Sequence, residues 1–98
     1  MRFVWDEIKS RANRAKHGIS FDVAQEVFFD PNSLTQFDRE ADREERWHTM
    51  GMIGATVVLL VVHSYFDEED ELVTRIISAR KATRAERHAY EKNVEENT

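Results

Sequence analysis

The residues best suited to chemistry are the cations of residues 75–90, where a predicted strand leads into a predicted helix. Arg75 lies inside the strand, Arg80 and Lys81 lie at its end, and Arg87 lies on the helix. The planar guanidinium group matches phosphate oxygens in a two-pronged geometry, and the start of a helix adds unpaired N–H donors. These residue types predict a phosphodiester site on RNA.

A simpler interpretation stays open, because runs of surface charge are often only solvated. The arginines would then pair with Glu86, with Glu91 or with the acidic loops. RNA nevertheless carries its own nucleophile, the 2′-hydroxyl. A ribonuclease therefore needs only to orient this group, to stabilise the pentavalent phosphate and to assist proton transfer. Arginines and one modest acid or base suffice for this chemistry.

Two histidines are candidates for the proton transfer. His63 closes the most apolar run of the chain, and an imidazole exchanges protons near neutral pH. The alternative for His63 is a partly buried side chain with a satisfied hydrogen bond. His48, beside Trp47, has no better claim from the sequence. The other large aromatic side chains are expected in the core rather than as base-stacking platforms. They are Trp5, Trp47, Phe21, Phe28 and Phe29.

Composition excludes several classes of site. The 98 residues suffice for one modest core, so a single domain over residues 1–98 is expected, with residues 95–98 frayed. The chain has no cysteine, which removes disulfides, thiol nucleophiles and cysteine zinc sites. The four histidines lack metal-binding spacing and there is no glycine-rich phosphate loop, so we expect neither a metal nor another cofactor.

Charge and hydropathy bear on partners and location. The longest apolar run, residues 57–62, is far shorter than a membrane span, and the start of the chain lacks an apolar run of signal-peptide length. A cytoplasmic protein without membrane contact is therefore expected. The net charge of −5 argues against nucleic acid, but it is uneven. Residues 37–71 carry ten acidic and three basic side chains, whereas residues 72–98 carry four acidic and six basic.

Hydrophobic periodicity predicts an α+β fold in the order β-α-α-β-β-β-β-α, with a mostly antiparallel sheet packed by helices. The nearly continuous apolar strand 56–63 is typical of a central strand buried on both faces. The other strands are predicted at residues 2–5, 34–38, 46–53 and 72–79. The acidic residues 67–71 are predicted to form a solvated hairpin connection.

Three helices are predicted from their spacing and end signals, over residues 6–16, 20–30 and 83–94. The first would bury Ile8, Ala12 and Ala15 at three- and four-residue spacing. The third begins at a capping box, in which Thr83 and Glu86 satisfy each other's backbone N–H groups.

Residues distributed along almost the whole chain resemble the BrnT family of type II toxin–antitoxin ribonucleases. The most specific segment is the run Arg-Ile-Ile-Ser-Ala-Arg-Lys-Ala-Thr at residues 75–83. The other matching positions are Phe3, Trp5, Asp6, Lys9, Asn13, Lys16, His17, Gly18, Ser20, Phe21, Ala24, Phe28, Asp30, Pro31, Glu44, Glu45, Arg46, Gly51, Glu86, Arg87, Tyr90 and Glu91.

This resemblance implies a RelE-like fold and an endoribonuclease toxin that cleaves RNA and inhibits translation. It implies neutralisation by a BrnA-type antitoxin with a ribbon-helix-helix DNA-binding part, in a hetero-oligomer that represses its own operon. The toxin would then contact operator DNA only through the antitoxin. Such a toxin need not be basic overall.

Combined with this resemblance, the residues suggest specific roles in a metal-independent endoribonuclease. Arg75 and Arg80 would hold the scissile phosphate, and Arg46 on a neighbouring strand would be a second phosphate contact. His63 is the candidate for proton transfer. The RNA-binding residues would be Lys81 and Arg87.

One departure from the family pattern favours a different function. Members often carry a basic residue just after the buried strand, near Phe66, but here residues 67–71 are all acidic. An acidic loop beside a phosphate site repels RNA. The alternative is therefore a non-catalytic partner or corepressor that binds the antitoxin without cleaving RNA. An interaction domain unrelated to toxins is a third possibility.

Overall fold

Five strands form one sheet in the order β1-β5-β4-β3-β2, in a computed structural model that describes residues 1–98. Strands β2 to β5 form an antiparallel meander, and β1 pairs in parallel with β5. The structure confirms an α+β fold with a mostly antiparallel sheet. The elements are β1 (Arg2–Val4), α1 (Glu7–His17), α2 (Phe21–Ala24), a 3₁₀ helix (Gln25–Phe29), β2 (Leu34–Ala41), β3 (Glu44–Ile53), β4 (Val57–Glu68), β5 (Glu71–Lys81) and α3 (Arg84–Glu96).

The acidic segment 67–71 lies mostly in strands, with only two residues in the connection, which corrects the prediction. Strand β4 continues to Glu68, which pairs with Glu71, so the connection is the two-residue turn Glu69-Asp70. Both turn residues have positive φ, as a tight hairpin turn with the right-handed strand twist requires. The charged side chains project from a two-stranded ribbon and remain in water, so the strands can extend well beyond the core.

One face of the sheet, which we call the α2 face, carries the main core. Leu59 and Val61 of β4 pack there with Phe21 and Val27 from α2 and the 3₁₀ helix. The 3₁₀ helix lies so close to β3 that a Cβ at Gly51 would sit 2.6 Å from the Val27 carbonyl oxygen. Glycine is therefore required at this contact.

The opposite face, which we call the α3 face, is covered by α3 only at one end. Tyr90 packs there on Met50, Val58 and Leu60. Alternate residues of β4 thus enter two different cores, as predicted for a strand buried on both sides. The predicted capping box also forms, with the Thr83 N–H donating to Glu86 Oε1 at 2.8 Å and the Glu86 N–H to Thr83 Oγ1 at 3.2 Å.

A half-buried carboxylate joins α3 to the rest of the fold. The Tyr90 hydroxyl donates to Asp30 Oδ2, which also accepts the Met52 N–H at 2.7 Å. Burial acts to raise the pKa of Asp30, but the hydrogen bonds from Tyr90, Met52 and Asn32 hold it below its usual value. Burial and the Asp30 carboxylate raise the pKa of Tyr90 to about 12. Asp30 therefore stays ionised and Tyr90 stays protonated at neutral pH, so the hydrogen bond between them persists.

Helix α1 buries a polar face, and the predicted apolar face is wrong. Ser10 and Asn13 are its buried residues, whereas Ile8 is 78% exposed. The helix lies against the edge of β5 beyond the end of β1. The Asn13 amide donates to the Ala79 carbonyl at 2.8 Å and accepts the Ala79 N–H at 3.2 Å. The side chain thus continues the ladder of hydrogen bonds that β1 begins.

A third correction concerns Phe29, which the sequence places in the core and which is 70% exposed. No helix of the chain is both long and apolar enough to cross a membrane.

Asn13→Ala is expected to lower the free energy of unfolding by about 3 kcal/mol, because it leaves buried backbone groups of Ala79 and Ile19 without partners. Urea denaturation measures the change. The matched control is Asn93→Ala, which removes one bond to the Asn32 carbonyl and should cost about 1 kcal/mol. Equal costs for the two variants would contradict the proposed role of Asn13.

Candidate functional site

Two of the candidate arginines lie side by side on the α3 face. Ser64 of β4 pairs with Arg75 of β5, and His63 pairs with Trp47 of β3. Because side chains alternate along a strand, Arg46 and Arg75 flank Ser64 on the same face. Neighbouring strands are about 4.8 Å apart, which puts the two arginine backbones about 10 Å from each other. Their guanidinium groups can therefore reach one phosphate.

A β-bulge brings the third arginine to the same face. Arg75 and Arg80 are five residues apart and would point to opposite faces of a regular strand. In β5, however, Ile76 pairs with His63 and Ser78 with Val62, so Ile77 is an extra residue. The bulge restores both arginines to the α3 face. Arg80 pairs with Leu60, about 13 Å along the strands from the Arg75 position.

A carboxylate occupies the space between Arg46 and Arg75. Glu44 forms an ion pair with Arg75, and its Oε1 atom lies 3.9 Å from Arg46 Nε. Arg46 Nη2 also lies 3.5 Å from Asp42 Oδ2. These residues line a pocket of about 390 Å³ that also includes Lys9. The Glu44 carboxylate of the chain itself thus occupies the position between the two guanidinium groups where a phosphate could bind.

Two buried polar atoms at this position have no hydrogen-bond partner. They are Arg46 Nε and Ser64 Oγ. Ser64 is 1% exposed and lies between the two arginines in the strand register. Unpaired buried donors are costly, and their presence in a site often indicates a missing partner. Both donors would suit the oxygens of a phosphate.

Arg80 is fixed by the helix cap. Its Nη1 and Nη2 atoms donate to the two carboxylate oxygens of Glu86 at 2.7 and 2.9 Å. The hydrogen bond from Arg80 lowers the pKa of Glu86 to about 2, and the same bond raises the pKa of Arg80. Glu86 therefore remains charged at neutral pH, and the Arg80 guanidinium keeps a fixed orientation with its Nε–H free of this pair.

The two predicted RNA-binding residues are placed differently. Lys81 pairs with Leu59 and therefore projects from the α2 face, away from the arginines. Arg87 donates from Nη1 to the Thr56 carbonyl at 2.7 Å and lies 4.0 Å from Glu91. It ties α3 to the turn between β3 and β4. The structure brings neither residue to the arginine cluster.

His63 lies on the α2 face and has no accessible surface. Its Nε2 atom lies 2.7 Å from Thr49 Oγ1, and its ring packs edge-on against Phe28. Burial, with a smaller effect of nearby His48, lowers the pKa of His63 to about 4. The structure therefore places His63 across the sheet from the arginines and in its neutral form.

His48 is the histidine that shares the α3 face with the three arginines. It pairs with Val62, so it lies between the Arg46 position and the row that contains Arg80. Its Nδ1 atom lies 3.6 Å from Asp38 Oδ1, and 19% of its side chain is exposed. The sequence shows that Arg46 and His48 are two residues apart and thus share a face. It does not show which face of β3 also receives Arg75 and Arg80.

The arginine face, which we define as Arg46, His48, Ser64, Arg75 and Arg80, thus combines cations, unpaired donors and an imidazole. No group of three or more His, Cys, Asp or Glu side chains is placed to hold a metal ion.

Comparison with known families identifies the chain. The family model of BrnT, the ribonuclease toxin of a type II toxin–antitoxin system, matches residues 5–86. The chain belongs to the BrnT family. No curated protein matches it significantly. All residues of the arginine face lie within the matched segment, whereas most of α3 lies beyond it. As a member of a type II toxin–antitoxin family, this BrnT chain has an antitoxin as its partner.

The burial of neutral His63 makes the stability of this BrnT protein depend on pH. The unfolded imidazole takes up a proton near pH 6.5, whereas the folded one stays neutral down to about pH 4. The free energy of unfolding should therefore fall between pH 6.5 and pH 4, by about 3 kcal/mol at most. Urea denaturation at a series of pH values measures this loss.

His63→Gln should remove this component of the pH dependence even though it lowers stability overall. His17→Gln, which changes an exposed histidine at the end of α1, is the control and should keep the wild-type profile. An unchanged slope in His63→Gln would show that another group causes the acid sensitivity.

Proposed function

We propose that this chain is an endoribonuclease that cleaves RNA on the arginine face without a metal ion and thereby inhibits translation. The observation that carries the proposal is that Arg46, Arg75, Arg80 and His48, from two non-adjacent strands, project from the same open sheet face. The guanidinium groups supply the positive charge that a metal ion supplies in other nucleases. We further propose that residues 1–98 are a single RelE-like toxin domain.

The reaction follows from the chemistry of RNA. The 2′-oxygen attacks the adjacent phosphorus, a new 2′-O–P bond forms, and the P–O5′ bond breaks to give a 2′,3′-cyclic phosphate. Arg46 and Arg75 would bind the phosphate oxygens and stabilise the charge that develops on them. Arg80 would hold the neighbouring part of the backbone. Its pairing with Glu86 keeps the guanidinium in place for this contact.

Proton transfer is better assigned to His48 than to His63. His48 shares the arginine face, and the Asp38 carboxylate 3.6 Å from Nδ1 can orient its ring and stabilise the imidazolium. His48 would accept the proton of the 2′-hydroxyl, and the departing 5′-oxygen would take a proton from water. His63 cannot reach the substrate from the α2 face. We therefore propose His63 as a structural residue of the core.

Lys81 and Arg87 would act outside the cleavage centre. Lys81 is exposed at the end of β5, where it can meet RNA that extends past the edge of the sheet. Arg87 would contribute by fixing α3 beside Arg80. The antitoxin would be a BrnA-type ribbon-helix-helix protein that forms a hetero-oligomer with this chain, contacts the operator DNA and holds the toxin inactive in the cytoplasm.

One observation favours a second function. Each of the three arginines is already paired with a carboxylate, from Asp42, Glu44 or Glu86. A chain that only binds its antitoxin and acts as a corepressor needs no free phosphate site. The Nε and Oγ donors left unpaired beside Arg75 support the enzyme instead.

Arg75→Ala and His48→Ala should each lower the rate of RNA cleavage at least about 100-fold, because each removes a group that acts on the reacting atoms. The assay uses purified protein, a labelled RNA and added chelator, and circular dichroism checks the fold. Arg84→Ala, which changes an exposed arginine on α3 without an ion pair, should cleave normally. Full activity of both site variants would refute the proposed site, and loss of all cleavage with chelator would refute metal independence.

Glu44→Gln should lower KM for RNA several-fold, because it removes the negative charge that competes with phosphate for Arg46 and Arg75. The kcat should change little. Glu45→Gln carries the same charge change on the opposite face of β3 and should leave KM nearly unchanged. If Glu44→Gln instead lowered kcat as Arg75→Ala does, Glu44 would be a positioning residue for the arginines.

A further inference from the structure

The α2 face carries a row of aromatic rings, of which Phe37, Trp47 and Tyr65 belong to neither core cluster and take no part in the proposed reaction. The rings of Phe37, Trp47 and Tyr65 follow one another across β2, β3 and β4, with centroids 5.5 and 6.1 Å apart. Phe28, Phe3 and Phe29 continue the row beyond the buried His63. Phe29 is 70% exposed, Phe37 51% and Tyr65 39%.

Carboxylates border this row, and they differ from those of the arginine face. Glu40 pairs with Glu45 on the same face as Trp47, and Asp67 follows Tyr65 at the same two-residue spacing. None of these three has an ion pair within the chain. On the α3 face, by contrast, Asp38, Asp42, Glu44, Glu68 and Glu86 all lie within 4.0 Å of a cationic or histidine nitrogen.

We propose that the aromatic row, with Glu40, Glu45 and Asp67 at its border, is the surface that binds the antitoxin. The occupant would be a segment of that protein in which apolar side chains alternate with lysine or arginine. The apolar side chains would cover the rings, and the cations would neutralise the unpaired carboxylates. This inference rests on the toxin–antitoxin part of the proposed function and does not depend on catalysis.

The charges exclude the two other candidate occupants. RNA could stack its bases on exposed rings, but its phosphates would meet three carboxylates without a compensating cation. A second copy of this chain would bring the same three carboxylates to the contact, and like charges across an interface oppose association. A cationic polypeptide satisfies both the rings and the charges.

The rings of Phe37 and Tyr65 provide the first test. Isothermal titration calorimetry would measure the Kd between the purified chain and the antitoxin encoded by the adjacent gene, without RNA present. Phe37→Ser with Tyr65→Ser should raise Kd at least tenfold, because exposed aromatic residues dominate such contacts. Ile8→Ser, which removes an even more exposed apolar side chain on α1, should leave Kd unchanged.

The border charges provide a second test that does not disturb the rings. Glu45→Gln with Asp67→Asn should raise Kd several-fold at low salt and weaken its salt dependence. The matched control is Glu95→Gln with Glu96→Gln, the same charge change at the end of α3. Unchanged affinity in both the aromatic and the charge variants would overturn the proposal.

RNA cleavage and self-association separate the remaining outcomes. Phe37→Ser with Tyr65→Ser should cleave RNA at the wild-type rate when the antitoxin is absent. Weaker RNA binding by this variant, measured with a labelled oligonucleotide, would assign the row to RNA and overturn the proposal. If light scattering showed that the wild-type chain is a dimer and the variant a monomer, the aromatic row would instead bind a second copy. That result would also overturn the proposal. Arg75→Ala should lose RNA cleavage but bind the antitoxin with the wild-type Kd. The cleavage site and the antitoxin surface are therefore tested separately.

Discussion

Strand β4 must bury both of its faces, and this requirement fixes the positions of the functional side chains. Leu59 and Val61 enter the core under α2, while Val58 and Leu60 enter the core under α3. A slip of one residue would move each set to the wrong core, so the register is strongly specified. Because β3 and β5 both pair with β4, that register also decides which of their side chains share a face. The arginine face therefore depends on apolar packing at the other end of the same strand.

The extra residue at Ile77 places Arg80 on the same face as Arg75. In a regular strand, Arg75 and Arg80 would lie on opposite faces, and one of them would be lost to the site. A β-bulge also increases the local twist of its strand. Asn13 bonds the β5 backbone at Ala79, just beyond the bulge, so the edge of β5 that faces away from β4 is held there by a side chain instead of a strand. The hydrogen bonds of Asn13 therefore stabilise the fold and also hold the backbone next to Arg80.

Much of the fold could be predicted, because its signals are local. The both-sided burial of β4, the capping box at Thr83 and the meander of strands follow from periodicity and end signals. The polar buried face of α1 could not be predicted, since Asn13 looks like an ordinary surface residue until the edge of β5 is known. The position of His63 could not be predicted for a similar reason. Its type suits catalysis, but only the register shows that it faces Phe28 instead of the arginines.

The distribution of ion pairs explains how an acidic chain can offer a surface to RNA. On the α3 face Asp38, Asp42, Glu44, Glu68 and Glu86 each lie within 4.0 Å of a cationic or histidine nitrogen, so the local field around the arginines is weaker than the net charge of −5 suggests. The excess negative charge lies instead on the hairpin ends and on the α2 face, where Glu40, Glu45 and Asp67 have no cation. A twisted sheet a single layer thick keeps the two fields apart, because alternate residues of the same strands project to opposite sides. One set of strands can therefore present a polyanion site on one face and an acidic, aromatic surface on the other.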